Sequence, residues 1–283
     1  MTKTGGRKLH KGWAVAIAVL LVLLAVLGAF GLGVRYQISR WENWYPDYEK
    51  QDISALLEKT DRTAEDYALL YAQTGLTAVG VEDTLAQENG RETVLKIQEH
   101  YFREITVYGR YVSPIMYQER TAERATLARL QDGDILVTAS TVVSWWRYGH
   151  SALVVDGAGG LLVESIGVGS DSKYNATETF VYLPNFIVLR PKADKAVKAQ
   201  VVSYARENLV GLPYFFTVGI LSKKSPKKIK RTQCAHLVWY AYQKFGLDLD
   251  SNGGGLVLPQ DIANSANVEI VQIFGFHPER LWK

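Results

Sequence analysis

The sequence predicts an α+β fold, an antiparallel sheet with packed helices, preceded by a membrane-spanning helix and a small helical region. Three observations predict it. Gly12 to Val34 is an unbroken uncharged run rich in Leu, Val and Ala. From Ile53 to Phe102 apolar residues recur at helical spacing. From Asp132 onward the texture turns to short β-branched runs between Gly, Pro and Asp turns, with helical segments after Asp194. The expected organisation is a basic tail at 1–11, an anchor at 12–34, a helical region at 35–130 and a sheet-bearing domain at 131–283.

Gly12–Val34 is long enough to cross a bilayer as one helix. Trp13 and Tyr36 suit the two interfaces, and Lys3, Arg7, Lys8 and Lys11 should hold the amino terminus in the cytoplasm. A cleaved signal peptide is the competing reading. The run is longer than a typical signal core, and Ala29-Phe30-Gly31 is a weak cleavage site. Either way the rest of the chain is exported. Next, Ile53 to Leu57 opens a short helix. Thr63 and Asp66 form a capping box for the following one, which Gly75 should end. Glu92 to Phe102 places Val94, Leu95, Ile97 and Tyr101 on a stripe, and the helical texture is expected to reach Arg129 as a layer or stalk.

In the sheet domain, Gly133 to Thr138 reads as a strand. His150–Val155 and Leu161–Ser165 read as a hairpin around Asp156-Gly157-Ala158-Gly159-Gly160. Thr179–Leu183 and Phe186–Arg190 read as strands broken at Pro184-Asn185. A helix spans about Asp194 to Leu209, and another opens after Thr232, its expected N-cap. A short helix starts at Pro259, and Val268–Phe274 is the last strand, with the helices expected on one side of the sheet.

Net charge is +3. Without the four basic tail residues, 28 of the 32 Lys and Arg stand against 29 Asp and Glu, so no nucleic-acid partner is expected. Internal repeats, zinc-type Cys/His spacing and phosphate-cradling glycine loops are absent from the sequence, so no metal or cofactor is expected. The single cysteine, Cys234, begins a helical pattern, where unpaired N–H groups and the positive end of the helix dipole favour a thiolate. A packed hydrophobe is the simpler role. In an exported chain, however, an unpaired thiol cannot be explained by a disulfide framework.

A cysteine nucleophile needs a base and a group that orients the base. His10 lies in the tail, His100 among charged neighbours, and His277 beside Pro278. His236, two residues along the helix from Cys234, points away from it. His150 remains. With the hairpin centred on Gly157, His150 faces Glu164 at roughly 5 Å between Cβ atoms. A shift of the centre by one residue keeps them diagonal neighbours on one face, and half a residue separates them.

Gly133-Asp134 before a strand, Gly149-His150-Ser151-Ala152-Leu153-Val154, Glu164 and then Cys234 on a helix resemble the circularly permuted papain-like amidases. These are the YiiX-type branch of the NlpC-like cysteine hydrolases, in which the histidine strand precedes the cysteine helix. The similarity covers about Asp132 to Phe274, with Gly211-Leu212-Pro213-Tyr214 and Leu258-Pro259-Gln260-Asp261-Ile262 as weaker matches. It departs at Gln233-Cys234-Ala235-His236, where relatives carry Cys-Ser-Glu. The resemblance implies a permuted papain-like core with Cys234 as nucleophile, His150 as base and Glu164 as orienting group. Tyr214 is expected as an oxyanion donor or substrate wall, with Trp146, Tyr148 and Gln233 also facing substrate.

These readings imply a membrane-anchored extracytoplasmic cysteine hydrolase acting on an amide in cell-wall peptide or a related envelope substrate. A lipid-directed thioester-forming hydrolase or acyltransferase and a non-catalytic envelope-binding module are the alternatives. The basic loop from Lys223 to Arg231 is either solvated or an attractor of anionic substrate. The sequence leaves the oligomeric state open.

Overall fold

The computed structural model describes residues 6–113, 115–279 and 281–282, so residues 1–5 of the basic tail lie outside the described residues. Helix α1 (Gly6–Ser39) contains a 28-residue apolar span, Gly12–Ser39, about 42 Å long at helical rise. It is long and apolar enough to cross a membrane. Four helices follow: α2 (Ser54–Glu58), α3 (Ala64–Thr74), α4 (Ala78–Leu85) and α5 (Gly90–Tyr101). The Thr63–Asp66 capping box opens α3, and Gly75, at φ +71°, closes it. Such a cap contributes about 1 kcal/mol. A mid-helix glycine made α4 hard to foresee. Gly80 is there because a Cβ would come within 2.2 Å of the Val271 carbonyl oxygen.

The helical texture does not reach Arg129. Strands β1 (Val107–Ser113) and β2 (Met116–Thr121) form a hairpin, and β4 (Thr141–Val143) completes a three-stranded sheet, following β3 (Ile135–Thr138) in the chain. Most of β1 is exposed on both faces, so its sequence shows no two-residue alternation. Then come β5 (His150–Asp156), β6 (Leu161–Glu164), β7 (Lys173–Ala176), α6 (Glu178–Val181) and β8 (Phe186–Pro191). The chain continues with α7 (Lys195–Asn208), α8 (Cys234–Gln243), α9 (Pro259–Ala263) and β9 (Val268–Phe274). The expected strand at Thr179–Leu183 is thus a helical turn: Thr177 accepts from the Phe180 N–H and Phe180 from the Leu183 N–H, bonds three residues apart.

Six strands form the main sheet in the order β7-β6-β5-β3-β8-β9, every pair antiparallel. Helices cover both of its faces, not one. Leu136, Ala152, Val154 and Val188 pack with Leu70, Val81, Val94 and Ile97 of the early helices. Ile135, Val137, Leu153 and Leu189 pack with α7 and α8. The early helices are therefore a layer on the sheet sharing its core, not a stalk below it.

Across the hairpin, Leu153 pairs Val163 and Val154 pairs Leu162, so the register centres on Ala158 instead of Gly157. A bulge between Val154 and Asp156 takes up the extra residue. Continued, this register sets Glu164 opposite Ala152 and diagonal to His150, still on one face.

Candidate active site

His150 is placed by the glycine before it. Gly149 has φ +77°, and a Cβ there would lie 2.0 Å from the Trp282 ring and 2.4 Å from the Thr138 carbonyl oxygen. Only glycine fits this turn. It delivers His150 as the first residue of β5, paired with Thr138. Glu164 closes β6, and His150 Nε2 meets Glu164 Oε2 at 2.6 Å. Asn175 on β7 donates its Nδ2 to Glu164 Oε1 at 2.5 Å, so both carboxylate oxygens are occupied. Phe180 of α6 stacks on the imidazole, centroids 6.0 Å apart and planes at 25°.

The charges follow from these contacts. Burial works to raise Glu164, but the hydrogen bond and charge of His150, with help from Asn175, hold it below the usual carboxylate range. For His150, burial pushes downward. Hydrogen bonding to Cys234 and Glu164, and their charges, outweigh it and raise the ring to about 10. The imidazole is therefore protonated at neutral pH.

Cys234 is the first residue of α8 and is buried. Its side chain meets His150 and Tyr148, and Tyr214 lies on the far side of Tyr148's hydroxyl, near enough to feel the cysteine's charge. Because Glu164 occupies Nε2, Nδ1 is the nitrogen left for the thiol. Thr232 does not cap this helix. Gln233 does, accepting from the Ala235 N–H at 2.7 Å and donating to the Val257 carbonyl at 2.6 Å. The Cys234 N–H, in the first turn, precedes any intrahelical partner. His236 is turned away: its Nδ1 lies 2.9 Å from Thr232 Oγ1 and its Nε2 2.7 Å from the Lys224 carbonyl oxygen. Burial pushes it down to about 4, leaving it neutral.

No protein-family model, curated protein or solved structure matches the chain.

Of the residues expected to face substrate, Tyr148 lies against Cys234 and Tyr214 against Tyr148, and burial raises both phenols. The buried Tyr148 hydroxyl has no hydrogen-bond partner of normal geometry among the described residues. Trp146 is half exposed and meets Tyr148 edge-on, centroids 5.5 Å apart. Gln233 is buried with its amide engaged at both ends, which removes it from substrate contact. A cleft of about 160 Å³ adjoins His150 and Glu164, with Arg110 and Arg120 over apolar Val112, Met116 and Ile166. Asn175, Phe180 and these two arginines escaped the sequence reading. Asn175 sits on an edge strand, Arg110 on a strand exposed on both faces, and Arg120 on the half-buried strand paired to it. Among the described residues no group of three His, Cys, Asp or Glu is placed to hold a metal.

Proposed function

We propose that the chain is a membrane-anchored cysteine hydrolase cleaving an amide in cell-wall peptide or a related envelope substrate. The observation that carries this reading is the buried His150–Glu164 hydrogen bond of 2.6 Å, with the thiol of Cys234 at a helix start against the same imidazole. In chemical terms, with the proton held on His150, Cys234 Sγ attacks the carbonyl carbon as a thiolate. The oxyanion is met by the Cys234 N–H and by the Tyr148 hydroxyl, the orphan donor beside it. Imidazolium then protonates the leaving amine as the C–N bond breaks and a thioester remains. Water, deprotonated by the now neutral ring, releases the acid and restores the thiolate beside the imidazolium. The order histidine strand, carboxylate strand, cysteine helix supports a circularly permuted papain-like core.

The apolar wall of the cleft beside His150 favours a second reading, a lipid-directed hydrolase or acyltransferase holding an acyl group on Cys234. The basic tail and the apolar span of α1 support a cytoplasmic amino terminus with the domain outside. Cys234→Ala is expected to abolish turnover of every accepted substrate, scored by mass spectrometry of envelope extracts. Full activity in that variant would end the mechanism. Fragments cut at peptide bonds support the first reading, and a hydroxylamine-labile acyl group on Cys234 the second.

A further inference from the structure

Helix α1 does not simply end and release the domain. Its last turns are fitted to the turn that leads into His150. Gly33 is buried, and a Cβ on it would lie 2.6 Å from the Trp145 ring. Tyr36 meets the same indole at 6.1 Å, and Gln37 donates to the Trp145 carbonyl at 2.5 Å. Arg147, paired to Glu119 at 2.8 Å through two nitrogens, also donates to the Gln37 carbonyl at 3.2 Å. A bilayer core of about 30 Å takes roughly 20 residues of helix. Counted from Gly12, that places Gly33 to Gln37 at the far headgroup level.

The neighbours of Trp145 are held at that level too. The Ser144 N–H donates to the Ile115 carbonyl at 2.7 Å, which holds Ile115, just before β2, beside the Trp145 turn. Met116, next to Ile115, packs against Gly167, where a Cβ would sit 3.7 Å from the Met116 sulfur. Around these contacts apolar side chains point outward: Trp145 is 52% exposed and Val168 78%, with Val112, Ile115 and Ile166 exposed as well. A contiguous apolar patch on a monomer marks an interaction surface. Tryptophan, tyrosine and arginine at its edge, here Trp145, Tyr111 and Arg110, are the residues that settle at a lipid headgroup boundary. The His150–Glu164 cleft opens among the same residues, Val112, Met116 and Ile166.

We propose that the β1–β2 tip, the Trp145–Trp146 turn and the Ile166–Val168 loop seat on the bilayer around the exit of α1, so that the His150–Glu164 cleft opens towards lipid. The proposal rests on the reading of α1 as a membrane span. It is independent of whether Cys234 is a nucleophile.

The test uses the full chain with Cys234→Ala, reconstituted in phosphatidylcholine–phosphatidylglycerol vesicles. Single cysteines replace Ile115 or Val168 and carry the environment-sensitive fluorophore NBD. Val22→Cys in α1 and Ala158→Cys at the opposite end of the β5–β6 hairpin serve as references. The expected result is blue-shifted emission at 115 and 168, quenched by nitroxide on lipid acyl chains, with 158 unshifted. Inserted probes at 22 with wet probes at 115 and 168 would overturn the seating and leave the anchor intact. A wet probe at 22 overturns both. Shifted emission at 115 and 168 that lipid-borne nitroxide does not quench identifies a protein partner, such as a second copy, and also overturns it.

Discussion

Two buried ionic clusters sit on the same sheet, and they are built to opposite ends. In one, Arg190 on β8 donates its Nε and Nη2 to the two oxygens of Asp134 at 2.9 and 2.8 Å, and its Nη1 pairs with Asp83 of α4. Every charge there faces its opposite, and the geometry is a bidentate fork. In the other, Glu164 is satisfied by His150 and Asn175, but the imidazole keeps one nitrogen turned to a thiol instead of to a fixed partner. The first cluster ties α4 to the sheet. The second leaves a proton free to move. Burial of charge alone does not mark a site; a buried group whose second partner is reactive does.

The largest expected effect breaks the first cluster. Arg190→Met leaves Asp134 buried without its partner, which typically costs about 3–5 kcal/mol. Urea unfolding should show a correspondingly lower midpoint, and a shift below 1 kcal/mol would mean that Asp134 takes up a proton at little cost. Glu164→Gln should also lower the midpoint, because the buried imidazolium loses its carboxylate, and turnover should fall as well, on the order of 10²–10⁴-fold. The sign of its pH effect can be fixed. Glu164 and Cys234 raise His150 above its ordinary 6.5 to about 10, so the imidazolium's contribution is complete below 6.5 and is lost as pH rises through 10. Without the carboxylate the alkaline limb of the activity profile should move to lower pH. An unmoved limb would assign it to another group. Asn175→Ala, which frees one carboxylate oxygen, should give the smallest effect, about tenfold in turnover or 1.4 kcal/mol. An unchanged rate would show that Glu164 needs only His150.

How far the sequence reads these clusters depends on what each residue's neighbours reveal. The Thr63–Asp66 box and Gly75 bracket α3 because caps are local, made within a few residues. His150 and Glu164 could be paired because a one-residue error in the hairpin centre keeps them on one face. Asn175 and Phe180 were not legible. The first lies on an exposed polar strand, and the second on a four-residue helix whose apolar, β-branched sequence reads as strand. The Gln233 cap escaped for a different reason: its amide is fixed by the Val257 carbonyl, a contact far along the chain. The position of the early helices needed the core itself, since nothing within residues 54–101 says which face of a sheet they cover.

The Trp145–Gly33 fit has a consequence for direction. With the indole wedged against a residue that has no side chain, the domain turns with its helix as a key turns with its shaft. One residue of helix is a rotation of about 100°. Whatever sets the rotation of α1 therefore sets the compass bearing on which the cleft faces.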